Sequence, residues 1–231
     1  MMTYNPRYYI DFIERAGFGK AQDLWAWDIL TNIFDHDVQK LPAKFLRVAD
    51  HARQCPNLVF RQLDLKQFDQ EVERAKAVYN EAWEANWGFV AMTEAEFDHL
   101  GASLKMVLDP ALVYIALIDG KPVGISVGVP DVNQAFRKAR PQPNKWSLPL
   151  LLAKFMWHRR KIDGMRLMIM GVVPEYRALG IDALFYVETS RAAFQRGYKR
   201  CEMSWILESN DMMNRIIERL GGNVYKTYRI Y

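Results

Sequence analysis

Apolar positions near the start of the chain, Tyr8, Tyr9, Phe12, Ile13 and Ala16, recur at one-face helical spacing, and Gly17 supplies a C-terminal stop. Lys20 to Trp27 then reads as a strand. The end of the chain has the same pattern: Met212, Met213, Ile216, Ile217 and Leu220, then Gly221-Gly222, then a strand from Val224 to Tyr231. The two segments superpose at a constant offset of 204, Glu14-Arg15 falling on Glu218-Arg219 and Gly17 on Gly221. Two amphipathic helices can agree by chance, but the shared register and the shared Glu-Arg favour a repeat. On that reading residues 1–57 hold the last helix and strand of one domain plus a linker helix, and 58–231 form a complete domain of the same kind.

Between the ends, the spacing predicts a helix over Pro42 to Gln54 and a strand over Leu58 to Leu63. Phe68, Val72, Ala75, Tyr79 and Ala82 keep a 3.6-residue period, which predicts a helix over 67–85. Asn86-Trp87-Gly88-Phe89 breaks it. Thr93 and Glu96 have capping-box spacing and open a second helix running to about Leu108. Leu112 to Ile118 and Pro122 to Val129 flank Asp119-Gly120, the signature of a β-hairpin. Pro130 to Lys145, rich in Pro, Asn and Lys, reads as a loop. The next helix carries Leu148, Leu151, Leu152, Phe155 and Met156 on one face, a pattern that predicts burial against a sheet.

The most informative stretch follows. Leu167 to Val173 is an apolar run of strand length, Pro174 ends it, and Gly180 opens a helix spaced by Ile181, Leu184, Phe185 and Val187. A strand, a short turn and a helix start place free backbone amides at a helix N-terminus, a natural anion site. Arg200 to Leu207 is a further strand and 210–220 the last helix.

Composition narrows the setting. Half of the 231 residues are hydrophobic and a quarter charged, the balance of an ordinary globular protein. A net charge of +4 suits an anionic small molecule and does not call for nucleic acid. Cys55 and Cys201 lack metal or redox spacing and read as buried free thiols; no metal is expected. The first residues have no apolar signal core, so the expected location is the cytoplasm.

The order of elements, with the residues at its landmarks, resembles the GCN5-related N-acetyltransferase superfamily. Three places carry the resemblance: the Gly171 to Ile181 segment GVVPEYRALGI, Asn210 heading a helix that ends in Gly221, and the strand LVFRQLD from Leu58 to Asp64. NWGF, SWILESN and YKTYRIY are similar to phrases of a bacterial branch of that superfamily. The resemblance implies a mixed α/β (α+β) fold with a mostly antiparallel central sheet, helices on both faces, and a splayed strand pair that admits acyl-CoA. It implies transfer of an acyl group, acetyl or another, from acyl-CoA to the amine of a small molecule or peptide. Two positions depart from the superfamily pattern. Asp182 stands where Gly or Ala is usual, and Ile217 stands where active members often place the tyrosine that protonates the leaving thiolate. Tyr225, Tyr228 or a water could take that proton role.

Carried over by position, Met170, Gly171 and Val172 would meet the thioester carbonyl and pantetheine. Arg177, Ala178, Leu179, Gly180 and Ile181 would hold the pyrophosphate. Glu202, Ser204, Ile206 and Glu208 alternate onto one side of their strand. Glu208, beside Asn210, is the first choice for a base or water-positioning group, with Ser204 and Asn210 as its neighbours; the alternative role is a helix cap or a surface carboxylate. Trp87, Phe89, Asp131 and Asn133 fall where the acceptor would lie. The alternative to an enzyme is a non-catalytic acyl-CoA-binding or interaction domain. A homodimer, or pairing with a preceding domain of the same fold, would cover the first segment, and a membrane surface is disfavoured.

Overall fold

A computed structural model describes residues 4–84, 86–139 and 148–231. Helix α1 (Tyr8–Arg15) leads to strand β1 (Gln22–Leu30), and α2 (Ala43–Arg53) to β2 (Leu58–Gln62). Helices α3 (Phe68–Trp83) and α4 (Glu94–Lys105) precede the hairpin of β3 (Val113–Ile118) and β4 (Lys121–Pro130). Helices α5 (Val132–Ala139) and α6 (Leu148–Arg159) come before β5 (Gly164–Val172). The remainder alternates as α7 (Ile181–Gln195), β6 (Arg200–Leu207), α8 (Asp211–Arg219) and β7 (Asn223–Ile230). The fold is mixed α/β, with seven mostly antiparallel strands among the described residues. No helix among them is long and apolar enough to cross a membrane.

The chain divides into two compact units. The first holds the residues up to Leu30, Asp131–Arg166 and those from Arg200 onward; the second holds Thr31–Pro130 and Leu167–Lys199.

In the second unit β2, β3 and β4 pair antiparallel, Phe60 opposite Ala116 and Tyr114 opposite Ser126. Asp119 and Gly120 take positive φ (50° and 80°), the mirror-image turn that an Asp-Gly hairpin requires. Just past β5, the Val173 N–H donates to Val123 O at 2.9 Å. The core is a buried cluster of Tyr114, Ala116, Val123, Val172, Ile181 and Phe185. Helix α7 is apolar on several faces because it packs on the strands and on α2, where Phe45 meets the Tyr186 ring edge-on at 5.9 Å. The Thr93 capping box forms as its spacing predicts, Glu96 N–H donating to Thr93 Oγ1 and Thr93 N–H to Glu96 Oε2. Fully buried Glu71 holds α3 to β2 by accepting from Arg61 at 2.8 Å.

In the first unit β1 lies between β6 and β7, antiparallel to both: Asp28 faces Glu202 on one side and Asn223 on the other. A register shift beside Trp27 interrupts both ladders. The Trp27 indole N–H donates to Asn214 Oδ1 at 3.1 Å, and the Asn214 amide donates to Leu207 O and Glu208 O at 3.0 and 3.2 Å. One buried amide therefore ties β1, the end of β6 and α8 together. Gly17 and Gly221, which superpose in the proposed repeat, both take left-handed φ (88° and 77°). Asp23, 6 % exposed, accepts two hydrogen bonds from the Arg229 guanidinium and pairs with Lys20.

Four expectations need correction. The stretch from Pro130 to Lys145 is not all loop: β4 reaches Pro130 and α5 occupies Val132–Ala139, while 140–147 lie outside the described residues. The Pro and Asn content concealed a short helix that buries only Val132, Ala135 and Ala139. Helix α6 forms where expected but none of its residues is buried, so its apolar face does not join a core. The cysteines are free thiols but half-buried. The first strand is Gln22–Leu30, because Asp28 and its neighbours extend the ladder past Trp27.

Two measurements check the first unit. Asn214→Leu leaves an indole N–H and two carbonyls without their partner and should lower unfolding stability by about 2–4 kcal/mol, read from the urea midpoint. Hydrogen bonds from Arg229 hold the Asp23 carboxyl below its ordinary 3.8, against burial, which alone would raise it. A depressed carboxyl contributes stability above its unfolded value and loses it as pH falls through the folded one. The stability gap between wild type and Asp23→Asn should therefore be full at neutral pH and shrink below about pH 4; a gap constant with pH would contradict this.

Candidate functional site

In the second unit, β5 ends at Val172 and Pro174–Leu179 winds into a 3-10 helix rather than an open turn. Gly180 then takes φ 75°, in the left-handed region, and is the N-cap of α7 with no side-chain cap. The first hydrogen bond of α7 runs from Leu184 N–H to Gly180 O at 3.3 Å, so the amides of Ile181, Asp182 and Ala183 precede the helical ladder. A Cβ on Gly180 would lie 2.4 Å from Val48 Cγ1 of α2, which leaves glycine as the residue that fits. Val172 and Ile181 are 5 % and 0 % exposed, so their side chains belong to the core and only their backbone can meet a ligand.

Arg177 Nε donates to Val172 O at 3.1 Å and its Nη2 to Ala82 O at 2.9 Å. It clips the end of β5 to the end of α3, so much of its donor capacity is spent within the protein. Gly171 lies under the Trp83 ring: a Cβ there would come within 2.3 Å of it. Trp83 in turn stacks on Tyr79 at 5.0 Å, and Tyr79 also meets Phe89 and Phe97 at 5.6 and 5.7 Å. Phe89 is thus part of an aromatic cluster, whereas Trp87 is half exposed. Ala178 is exposed, and Met170 and Leu179 pack partly buried against the core. Beside the cluster, between α3, α4 and the strands, lies a cavity of about 60 Å³ with an apolar surface, bordered by Phe68, Val72, Tyr79, Phe97, Leu104 and Ile169.

In the first unit the predicted catalytic residues separate into different roles. Glu208 accepts from Lys20 Nζ at 2.8 Å and from Asp23 N–H at 3.1 Å. The Lys20 hydrogen bond, with the Asp23 amide, holds its carboxyl below the ordinary value, the wrong direction for a base. Asn210 caps α8, its Oδ1 accepting from Met213 N–H at 3.2 Å. Asp131 does the same for α5 through Asn133 N–H, and Asn133 itself is exposed.

Ser204 belongs to a buried network that sequence reading assembled only in part. Its Oγ donates to Glu202 Oε1 at 2.7 Å, and the Tyr225 hydroxyl donates to Glu202 Oε2 at 2.6 Å. Arg166 Nη2 donates to Ser204 O at 2.8 Å, and the Arg200 guanidinium lies 4.9 Å above the Tyr225 ring. Burial would raise the Glu202 carboxyl, but the hydrogen bonds from Tyr225 and Ser204 outweigh it and hold the group below its ordinary value. Burial, reinforced by the bond to Glu202, pushes the Tyr225 hydroxyl well above its usual value, so it keeps its proton through the neutral range. The alternation along β6 places Glu202 on the side of Ser204. Its partner Tyr225 lies on β7, with β1 between, and no local pattern links the two. Among the described residues no cluster of His, Cys, Asp and Glu could hold a metal.

No family model matches the chain. It is 36 % identical over 239 residues to a protein of Caulobacter vibrioides named bacterial ceramide synthase, covering all of this chain and 59 % of that protein. It is 35 % identical over 238 residues to protein YghO of Escherichia coli, covering all of this chain and 58 % of that one. The chain thus spans somewhat over half the length of the curated relatives it matches. Among solved structures, a GCN5-related N-acetyltransferase from Sphaerobacter thermophilus superposes at a TM-score of 0.60 with 17 % identity, over 96 % of this chain and 54 % of that one. In its sheet, its element order and its likeness to solved structures, the chain has the fold of the GCN5-related N-acetyltransferases.

Proposed function

We propose that this chain is the acyl-transferring part of an acyl-CoA-dependent N-acyltransferase whose acceptor is the amine of a long-chain amino alcohol. The observation that carries the reading is the likeness, over the whole of this chain and 59 % of that protein, to a protein named bacterial ceramide synthase, since a ceramide is the N-acyl derivative of such an amine. The geometry supports it. The uncapped start of α7 fits a pyrophosphate, with the amides of Ile181, Asp182 and Ala183 as donors and Arg177 holding the turn in shape. Bound acyl-CoA would supply the activated thioester. The apolar cavity beside Tyr79 suits part of an alkyl chain.

In the reaction the amine nitrogen attacks the thioester carbon, a C–N bond forms and the C–S bond breaks. The amine loses a proton and the departing thiolate gains one. Tyr225 and Glu202 are assigned to positioning the amine, not to removing its proton: the phenol oxygen can accept from an N–H while the hydroxyl donates to Glu202, and the amine proton passes to the departing thiolate. Glu208 and Asn210 are assigned to support. The exposed aromatic face of α1, with Tyr8 and Phe12 53 % and 59 % accessible, suits pairing with a further domain or a second copy.

Thiol release measured with long-chain acyl-CoA and a sphingoid amine should show turnover that acetyl-CoA with short amines does not match. Clear CoA binding with no thiol release for any amine would replace the enzyme by an acyl-CoA-binding domain. Asp182→Asn removes a negative charge from the first turn of α7 and should tighten acyl-CoA binding about threefold; unchanged affinity counts against the loop as the pyrophosphate site. Tyr225→Phe should lower kcat about 100-fold with the KM for acyl-CoA unchanged, and a variant as fast as wild type removes Tyr225 from the chemistry.

A further inference from the structure

Helix α6 contradicts the ordinary rule for an apolar helix. Leu148, Leu150, Leu152, Met156 and Trp157 are 55 %, 58 %, 55 %, 55 % and 61 % exposed. Leu148, Leu152 and Met156 are four apart and form one stripe along the helix. The side that does pack faces α5, where Phe155 meets Phe136 at 4.5 Å. A stripe of large apolar side chains left to water on a stable helix marks a surface that is covered in use.

The charge around it identifies what covers it. From Val132 to Ile162 the sequence has eight Lys and Arg and no Asp or Glu. The remainder of the chain has 23 Lys and Arg against 27 Asp and Glu, so the net positive charge of the protein resides in this one segment. Lys154, Arg160 and Lys161 are exposed on or just after α6, and Arg137 and Lys138 are exposed on α5. Lys161 Nζ lies 5.6 Å from the Trp157 ring centre, which places a cation beside an amphipathic ring. A second copy of so positive a face would be repelled. Nucleic acid would match the charge, but Leu148, Leu150, Leu152 and Met156, which make up most of the exposed apolar residues of α6, offer bases nothing on which to stack. Apolar chains, a tryptophan and lysines on one short helix match the acyl and headgroup boundary of an anionic bilayer. At 12 residues, about 18 Å, α6 is too short to span a bilayer and long enough to lie in its surface.

We propose that the α5–α6 face docks on a membrane surface containing anionic phospholipid, with Leu148, Leu152, Met156 and Trp157 entering the headgroup boundary. The proposal does not depend on acyl transfer: docking needs no substrate, and its failure leaves the chemistry untouched.

Sedimentation of the full-length protein with vesicles tests it. Vesicles of phosphatidylcholine with one quarter phosphatidylglycerol should bind it at least about tenfold more strongly than phosphatidylcholine alone, the difference falling as salt rises. Leu152→Asp with Met156→Asp should weaken binding about tenfold or more. Arg160→Gln with Lys161→Gln should weaken binding to the mixed vesicles and flatten its salt dependence. Thermal melts matching wild type establish that the variants fold. Brominated lipid should quench wild-type fluorescence more than that of Trp157→Phe, an arm that needs only a surface replacement. Absence of binding at low salt, or binding that all the α6 changes leave intact, overturns the proposal. So does self-association that Leu152→Asp abolishes in a protein that ignores vesicles, since the stripe then belongs to a second copy.

Discussion

The second unit depends on the close contact between Gly180 and Val48. The strand must end, reverse and begin a helix within a space where a single Cβ would come 2.4 Å from Val48 Cγ1 and 3.3 Å from Val48 O. Only a residue without a side chain and with φ near 75° satisfies both the path and the packing. Once that contact is made, α2 lies on the start of α7, Ile181 enters the core beside Val172, and Arg177 fastens the strand end to Ala82 O. The amides at the head of α7 are therefore held by buried packing, so under the proposed reading an anion there would meet donors already in place. Order that is present before binding is order that binding does not have to supply.

The first unit has a different organising element. Strand β1 comes early in the chain yet lies between two strands from its end, and its own side chains complete their polar groups. Asp28 takes the Arg200 guanidinium, Asp23 takes Arg229, and Trp27 gives its indole proton to Asn214. A buried carboxylate such as Glu202 is tolerable only with its lone pairs occupied, and Ser204 and Tyr225 occupy them. The strand order is what brings β6 and β7 to the separation at which the Tyr225 side chain reaches Glu202.

How much of this was legible follows from the range of each interaction. The Asp119-Gly120 hairpin, the Thr93 box and the period of α3 are set by residues within a few positions of one another, and the sequence displays them. Helix α5 was concealed because its buried side is three small or branched residues in a polar stretch. The exposure of α6 could not be read from its pattern, since an apolar stripe looks the same whether it meets a sheet or solvent. Glu208 stands beside a recognisable helix start, a local signal that Glu202 lacks. The group that pairs with Glu208, Lys20, is 188 positions away.

The same long-range logic bears on Ile217. Its side chain is fully buried, and Gly222 must lack a Cβ because one would lie 2.6 Å from Ile217 Cγ2 and 2.9 Å from Ile217 O. Position 217 is therefore sealed by α8 and the turn that follows it. A tyrosine there would have to place its hydroxyl among apolar groups or displace the turn, either of which costs more than the isoleucine it replaces. Position 217 is thus given to packing, and on the proposed reading any proton donor would lie on another element. Within the first unit, Ser204 and Tyr225 both donate their hydroxyl protons to the buried Glu202 carboxylate, and the strand of Tyr225 pairs with β1.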